Sequence, residues 1–273
     1  MLISPGPIIF DFGSFQLRWY GLIMLLAFFS AFFLTYNSMK KELNKETEKY
    51  IFDWALMTFI GGIIGARLWF VILKIDYFTD FPLESFAIWN GGQSIQGGFV
   101  GGIIASWIFY KLNQKNLPSW AWSADYLMPG LALAQAIGRW GNFFNIEAFG
   151  KPTNAFWGLF VPETLRPLKY IGYKTFHPTF LYESIFLLFL AVILYFYGQK
   201  LKNKFKLKNA SILMIYLIVY SLGRFFLEFY RLDSLIIFSF PAAQIICLLT
   251  IIICSMIFVF INKEKLLYCM KKK

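Results

Sequence analysis

The sequence predicts an all-α polytopic membrane protein that forms a single integral membrane domain over residues 1–273. Two observations lead to this prediction. The 273-residue chain is 58% hydrophobic and 21% aromatic, which is too apolar for an ordinary soluble domain. Apolar windows of about 20 residues, each long enough at about 1.5 Å per residue to cross a hydrocarbon core of about 30 Å, recur along it.

Seven such windows predict seven transmembrane helices, in order at residues 17–36, 51–74, 92–112, 122–142, 179–198, 210–229 and 238–261. The one long interval between them is 143–178, where four prolines stand among mixed polar residues. Loops of that length with their own turn signals fold on themselves. We therefore expect a small head inserted between the fourth and fifth helices.

The basic residues are sorted by side of the membrane. Of the 26 lysines and arginines, 16 lie in residues 40–49, 111–115, 200–208 and 263–273, which follow every second window. The positive-inside rule then puts the N-terminus outside, the C-terminus in the cytoplasm and the 143–178 head outside the cell membrane. The net charge of +11 accordingly indicates contacts with anionic lipid rather than a nucleic-acid partner.

Polar side chains converge on the predicted outer half of five helices, where lipid makes each of them costly. They comprise Arg67, Gln96, Arg139, Asn142, His177, Tyr182, Glu183, Tyr220, Arg224, Glu228 and Arg231. Any one of them has a structural alternative: Arg224 and Glu228 could form a buried pair, and Arg139 could snorkel to the interface. Together they favour a functional site, since ionisable groups inside a membrane are retained mainly for function.

The excess of arginine over carboxylate at this depth indicates an anionic ligand. A guanidinium fork matches phosphate oxygens and stays charged at any physiological pH. A phospholipid headgroup fits that chemistry and that depth. We expect no metal and no cofactor, because His177 is the one histidine and no Cys/His cluster exists.

Glycines with small-xxx-small spacing predict close helix packing between the second and third windows. The pairs are Gly61 with Gly65, Gly97 with Gly101, and Gly98 with Gly102.

Five segments, in order, resemble the prolipoprotein diacylglyceryl transferase family, bacterial membrane enzymes that lipidate the lipobox cysteine of lipoprotein precursors. They are RWYGL at 18–22, QGGFVG at 96–101, GRWGNFFNIEAFG at 138–150, HPTFLYE at 177–183 and GRFFLEFYR at 223–231. The resemblance covers nearly the whole chain.

The resemblance implies transfer of the diacylglyceryl group of phosphatidylglycerol to a cysteine thiol of a prolipoprotein, which forms a thioether and releases glycerol phosphate. This is the first step of bacterial lipoprotein maturation, in the cytoplasmic membrane with the active site toward the outer leaflet. By family analogy Arg139 and Arg224 bind the phosphate and stabilise the departing charge. The substrate-binding residues that we predict are Tyr20, Arg67, Asn142, Asn145, Glu147, Gly150, Tyr182, Glu183, Tyr220, Glu228 and Arg231.

One position departs from the family pattern. Where well-known members carry a histidine proposed as the base for the thiol, this chain has Gln96. An amide cannot accept a proton at neutral pH. Three alternatives stay open: a thiol with its ordinary pKa of about 8.5 that ionises beside arginines, His177 as the base, or a phosphate oxygen of the substrate.

Two other classes of function predict buried arginines too: an anionic-lipid transporter or flippase, and a catalytically weak lipid-binding paralogue. A transporter needs polar access toward the inner face as well. Here the inner half holds mainly Asp53 and Asp125, which we expect to be acids at the starts of their helices. The transferase is therefore the leading hypothesis.

Overall fold

The computed structural model describes residues 1–13, 16–87, 91–232, 234–237 and 239–271, and side chains up to residue 265. Over these residues the chain is helical apart from short hairpins. The helices are α1 (Trp19–Met39), α2 (Lys45–Leu73), α3 (Ile75–Asp80), α4 (Ile95–Asn113), α5 (Trp120–Asn145), α6 (Thr179–Ile193), α7 (Gln199–Lys204), α8 (Ser211–Leu227) and α9 (Ala242–Lys271). The antiparallel pairs are β1 (Ile8–Asp11) with β2 (Gln16–Arg18), β3 (Leu159–Phe160) with β4 (Thr175–Phe176), and β5 (Ile236–Ile237) with β6 (Phe240–Pro241).

Within the described residues, five helical stretches are long and apolar enough to cross a membrane. They are Trp19–Met39, Lys45–Leu73, Thr179–Lys204, Ser211–Tyr230 and Ala242–Lys265. The third of them is α6 joined to α7 through one π-helical turn at Leu194–Gly198. The prediction of an all-helical polytopic membrane protein is confirmed. Long helices α4 and α5 also cover the two remaining predicted windows.

The contacts divide the chain into two compact units, residues 39–123 and residues 1–38 with 124–273. In the first unit α2 packs along α4 through glycines. A Cβ atom added at Gly65 would lie 2.7 Å from Gly101 Cα, and one added at Gly61 would lie 2.9 Å from Gly101 O. Side chains on these faces would hold the helices apart, so the predicted glycine packing is confirmed.

The start of α2 corrects one expectation. Asn44 caps the helix, accepting a hydrogen bond of 2.8 Å from Thr47 N, so α2 begins six residues before the predicted window. The acids in its first turn are Glu46 and Glu48. The prediction that Asp53 lies at the helix start is wrong, because polar residues extend the helix beyond its apolar stretch.

In the second unit, α5, α6 and α8 share an apolar core of buried residues. Its members include Met128 and Ala132 from α5, Leu190 from α6, and Ile212 and Tyr216 from α8.

A buried polar network lies at one end of this core. Asp125, fully buried in the second turn of α5, accepts hydrogen bonds of 2.9 and 3.0 Å from the backbone N–H groups of Ile212 and Leu213. Lys202 of α7 is also buried and donates to Asp125 Oδ2 at 2.7 Å. Asp125 therefore caps α8 rather than its own helix, which corrects the expectation from sequence. Lys202, predicted to be a lipid anchor, is its counter-ion.

Residues 146–178 form a small folded region. Leu159 of β3 pairs with Phe176 of β4, and Leu2 joins this hairpin, because Leu2 N donates to Gly158 O and Phe160 N donates to Leu2 O, both at 2.8 Å. Leu159, Val161 and Phe176 are fully buried. The region therefore has an apolar core of its own. It joins the end of α5 to the start of α6.

Candidate active site

The loop that follows α5 is held by a carboxylate between two amides. Glu147 Oε1 accepts from Asn142 Nδ2 at 2.9 Å and from Asn145 Nδ2 at 3.3 Å, while Glu147 N donates to Asn142 O at 3.0 Å. The flanking residues Ile146 and Ala148 have φ of 52° and 55°, a left-handed conformation that side chains disfavour. The Asn142–Glu147 contacts explain how unfavourable backbone conformations are retained on both sides of Glu147.

Gly150 lies where this loop, the start of α6 and the end of α8 meet. Its N–H donates to His177 O at 2.8 Å, and it forms a β-bridge with Arg231. A Cβ atom added at Gly150 would lie 2.6 Å from Tyr230 O and 2.9 Å from His177 Cβ. Only glycine fits at this point of close approach. Gly150 therefore holds three of the family-like segments together, namely 138–150, 177–183 and 223–231.

Two arginine–glutamate pairs lie among the helices of this unit, each with a buried glutamate and a partly exposed arginine. Arg139 Nη2 of α5 lies 2.6 Å from Glu183 Oε1 of α6, and Arg224 Nη1 of α8 lies 2.5 Å from Glu228 Oε2. The two glutamate side chains are 4% and 2% exposed, whereas those of Arg139 and Arg224 are 26% and 16% exposed.

These pairs change one premise drawn from the sequence. Each guanidinium has a carboxylate of its own, so the pairs carry no excess of arginine. The contact atoms Glu183 Oε1, Arg224 Nη1 and Glu228 Oε2 make no well-directed hydrogen bond despite their short distances. We therefore describe the contacts as ionic.

Tyr220 links the two pairs. Its side chain is close enough to Arg139, Glu183 and Arg224 to interact electrostatically with all three. Tyr220 also stacks on Tyr216, with ring centroids 5.9 Å apart. The structure thus places charged residues of α5, α6 and α8 near one another, while the predicted convergence of five helices at one membrane depth stays a prediction.

Tyr20 of α1 joins the same cluster. Its ring packs against Gly141, where an added Cβ would lie 2.5 Å from Tyr20 Cδ2. Tyr20 interacts electrostatically with Glu147 and Arg139. It therefore lies between the loop after α5 and the first ion pair.

His177 is held beside Tyr182 by a chain of hydrogen bonds. Tyr182 Oη lies 3.0 Å from His177 Nδ1 and accepts a hydrogen bond of 2.8 Å from Trp157 Nε1. The His177 ring also packs edge-on against Tyr230, with centroids 5.3 Å apart. Partial burial lowers the pKa of His177 below its usual 6.5, which favours the neutral ring.

Arg67 and Gln96 belong to the first unit. The buried Arg67 donates to the backbone carbonyls of Glu84 (2.5 Å), Ser85 (2.9 Å), Gly91 (2.7 Å) and Gly92 (2.9 Å). Four of its five N–H groups thus hold the segment before α4. Gln96 is exposed, and its Oε1 accepts from Ser94 Oγ at 2.7 Å. The substrate-binding role of Arg67 and the catalytic role of Gln96 stay predictions.

Sequence reasoning missed Trp157, Gln135 and Thr179. Trp157 lies outside every recognised segment, and no periodicity connects it with α6. Gln135 Oε1 accepts from Tyr216 Oη at 2.6 Å, and Thr179 Oγ1 donates to Ala148 O. Thr179 lies inside the HPTFLYE segment, which is the one signal that could have identified it.

A sequence profile described as prolipoprotein diacylglyceryl transferase matches residues 7–260. A protein of Nostoc sp. named phosphatidylglycerol--prolipoprotein diacylglyceryl transferase is 40% identical over 250 residues, which cover 91% of this chain and 86% of that protein. Proteins of the same name from Trichormus variabilis and Thermotoga maritima are each 38% identical, over 97% and 90% of this chain and 94% and 81% of their own lengths. Since the profile covers most of the chain, including every residue of the cluster, the chain belongs to the prolipoprotein diacylglyceryl transferase family.

Proposed function

We propose that this chain transfers the diacylglyceryl group of phosphatidylglycerol to the lipobox cysteine thiol of a prolipoprotein. The observation that carries the proposal is the pair of ionic contacts Arg139–Glu183 and Arg224–Glu228, each with a buried glutamate, together with Tyr220, which is near members of both pairs. The two arginines are the positions that family resemblance assigns to phosphate binding.

The transfer replaces one bond with another. The cysteine sulfur attacks the diacylglyceryl carbon that is bonded to a phosphate oxygen. A C–S bond forms there, and the bond between that carbon and the phosphate oxygen breaks. Glycerol phosphate leaves with the bonding electron pair, so negative charge grows on the phosphate. Arg139 and Arg224 are placed to stabilise that charge.

The carboxylates orient the arginines for this role. Glu183 and Glu228 are buried, while both arginine side chains keep exposed surface. A guanidinium has five N–H groups, so one carboxylate contact leaves others for phosphate oxygens. We assign Asn142, Asn145, Glu147 and Gly150 to shaping the same site, with Tyr20, Tyr182 and Arg231 lining it.

We further propose that all seven predicted helices cross the bacterial plasma membrane, with the N-terminus outside and the C-terminus in the cytoplasm. The supporting observation is length: α4 has 19 residues and α5 has 26, which span about 28 and 39 Å at 1.5 Å per residue. Helices α4 and α5 are less apolar than the five stretches given above because they contain more glycine and polar residues, not because they are shorter. Residues 143–178 are then the extracytoplasmic head and the site faces the outer leaflet.

The experiment incubates purified protein with phosphatidylglycerol in detergent and a lipobox peptide that has one cysteine. Peptide mass and released glycerol phosphate are followed, with a Cys→Ser peptide as control. We expect both products with the cysteine peptide and neither product with the Cys→Ser peptide. Folded protein that makes neither product with any tested phospholipid would contradict the transferase and favour the lipid-transporting or weakly catalytic alternatives.

Two matched substitutions test the arginine. Arg139→Lys replaces a fork by a point charge and should lower transfer at least about 100-fold. Arg166→Lys is the control, because Arg166 donates to Val161 O (2.8 Å) and Ile171 O (2.9 Å) within residues 146–178. Wild-type transfer activity in both variants would remove Arg139 from the mechanism.

A further inference from the structure

The hydrogen-bond chain Trp157–Tyr182–His177 determines which nitrogen of His177 carries the proton. Trp157 Nε1 is a donor only, so Tyr182 Oη must be the acceptor of their 2.8 Å contact. A phenolic oxygen that accepts a hydrogen bond still has its own hydroxyl proton to donate. The Tyr182 hydroxyl proton is then the group available for the 3.0 Å contact with His177 Nδ1.

A neutral histidine that accepts at Nδ1 carries its proton on Nε2. Burial lowers the pKa of the ring and so favours its neutral form, and a hydroxyl that donates to Nδ1 acts in the same direction. The rings that pack against the imidazole are those of Tyr182 and Tyr230, with centroids 6.0 and 5.3 Å from its own. None of these brings a carboxylate to the ring.

We propose that Trp157 and Tyr182 are positioning residues that fix His177 as its Nε2–H tautomer, so that His177 donates a hydrogen bond to the substrate phosphate and does not take the thiol proton. The inference rests on the proposed function for the identity of its acceptor. Its location fits: Gly150 binds His177 O and bridges to Arg231, so His177 lies where α8 ends after Arg224 and Glu228. Of the three alternatives for the thiol proton, two then remain.

The chain has a single histidine, which makes a direct test possible. Protein labelled with ¹⁵N-histidine gives one imidazole, and long-range ¹H–¹⁵N spectra in detergent at pH 7 distinguish protonated from unprotonated ring nitrogens. We expect a protonated Nε2 and an unprotonated Nδ1. A protonated Nδ1, or protons on both nitrogens, would overturn the proposal without any reference to transfer.

Three variants test the origin of the tautomer. Tyr182→Phe removes the donor to Nδ1, and Trp157→Phe frees the phenolic lone pair to accept from Nδ1–H. Both should move the two nitrogen shifts toward each other, as a mixture of tautomers does. Tyr173→Phe is the control, since Tyr173 is 54% exposed and its ring contact is with Tyr170. Wild-type shifts in both variants would overturn the positioning roles.

The transfer activity of His177 variants distinguishes a hydrogen-bond donor from a general base at this position. His177→Gln keeps an N–H donor but no basic nitrogen, whereas His177→Ala loses both. We expect the alanine variant to lose about 10- to 100-fold in kcat/KM and the glutamine variant to recover most of it. Equal loss in both variants would overturn the donor role. A wild-type protein with the expected tautomer and no transfer would instead contradict the proposed function alone.

Discussion

The glycine contact between α2 and α4 gives the sharpest test of the packing. Gly65→Ala places a methyl group 2.4 Å from Gly97 O and 2.7 Å from Gly101 Cα. Ordinary carbon contacts begin near 3.5 Å, so the helices must separate by about 0.8 Å. Overpacking of this kind costs about 1–3 kcal/mol. The matched control is Gly62→Ala on the same helix, where the new methyl group would meet Gly98 O at 3.5 Å.

The assay is thermal unfolding in one detergent at one scan rate, because heating of membrane proteins is commonly irreversible. At about 2–4 °C for each kcal/mol, Gly65→Ala should lower the apparent midpoint by about 2–12 °C. Gly62→Ala should leave it unchanged or raise it, since alanine favours a helix over glycine by about 1 kcal/mol. A Gly65→Ala midpoint at or above wild type, or equal losses in both variants, would refute the close contact.

Three further predictions concern the second unit. Lys202→Met leaves the buried Asp125 carboxylate without its counter-ion and should lower the free energy of unfolding by about 3–5 kcal/mol. Adding Asp125→Asn should restore most of that loss. Additive losses in a double-mutant cycle would contradict the pairing. Since burial lowers the pKa of folded His177 below 6.5, the unfolded chain binds a proton first, so stability should hold above about pH 6.5 and decline as pH falls to the folded pKa. His177→Gln should abolish that decline, and identical pH profiles of unfolding would count against it. Gly150→Ala forces the crossing apart and should lower transfer about 100-fold, whereas Gly172→Ala, with no atom within 4 Å of its added Cβ, should match wild-type activity in the same assay.

The position of a residue along its helix could be predicted from the sequence, whereas its partners on neighbouring helices could not. Apolar length and the 1.5 Å rise fix how far along its helix a residue such as Arg139 or Glu183 lies. Which face it presents depends on packing. The Arg139–Glu183 contact joins α5 to α6 and follows from no sequence spacing, while Arg224–Glu228 is an i,i+4 pair that the sequence already allowed.

Contacts between residues far apart in the chain were the least predictable. Asp125 looked like an acid at its own helix start, yet it binds N–H groups of α8 that lie 87 and 88 residues away. Trp157 carries no pattern at all, because a tryptophan in a proline-rich loop is equally consistent with surface or core. Each of these contacts depends on the tertiary fold rather than on local propensity.

The sequence separation between Asp125 and its partners also determines when their contacts can form during biosynthesis. Lys202 follows Asp125 by 77 residues. At about 5–20 residues per second, a ribosome adds that length in roughly 4–15 seconds. Through this interval α5 carries a carboxylate whose counter-ion has not yet been made, and neither has the helix start that it caps. Asp125 can therefore reach its final contacts only after α7 and the start of α8 have emerged.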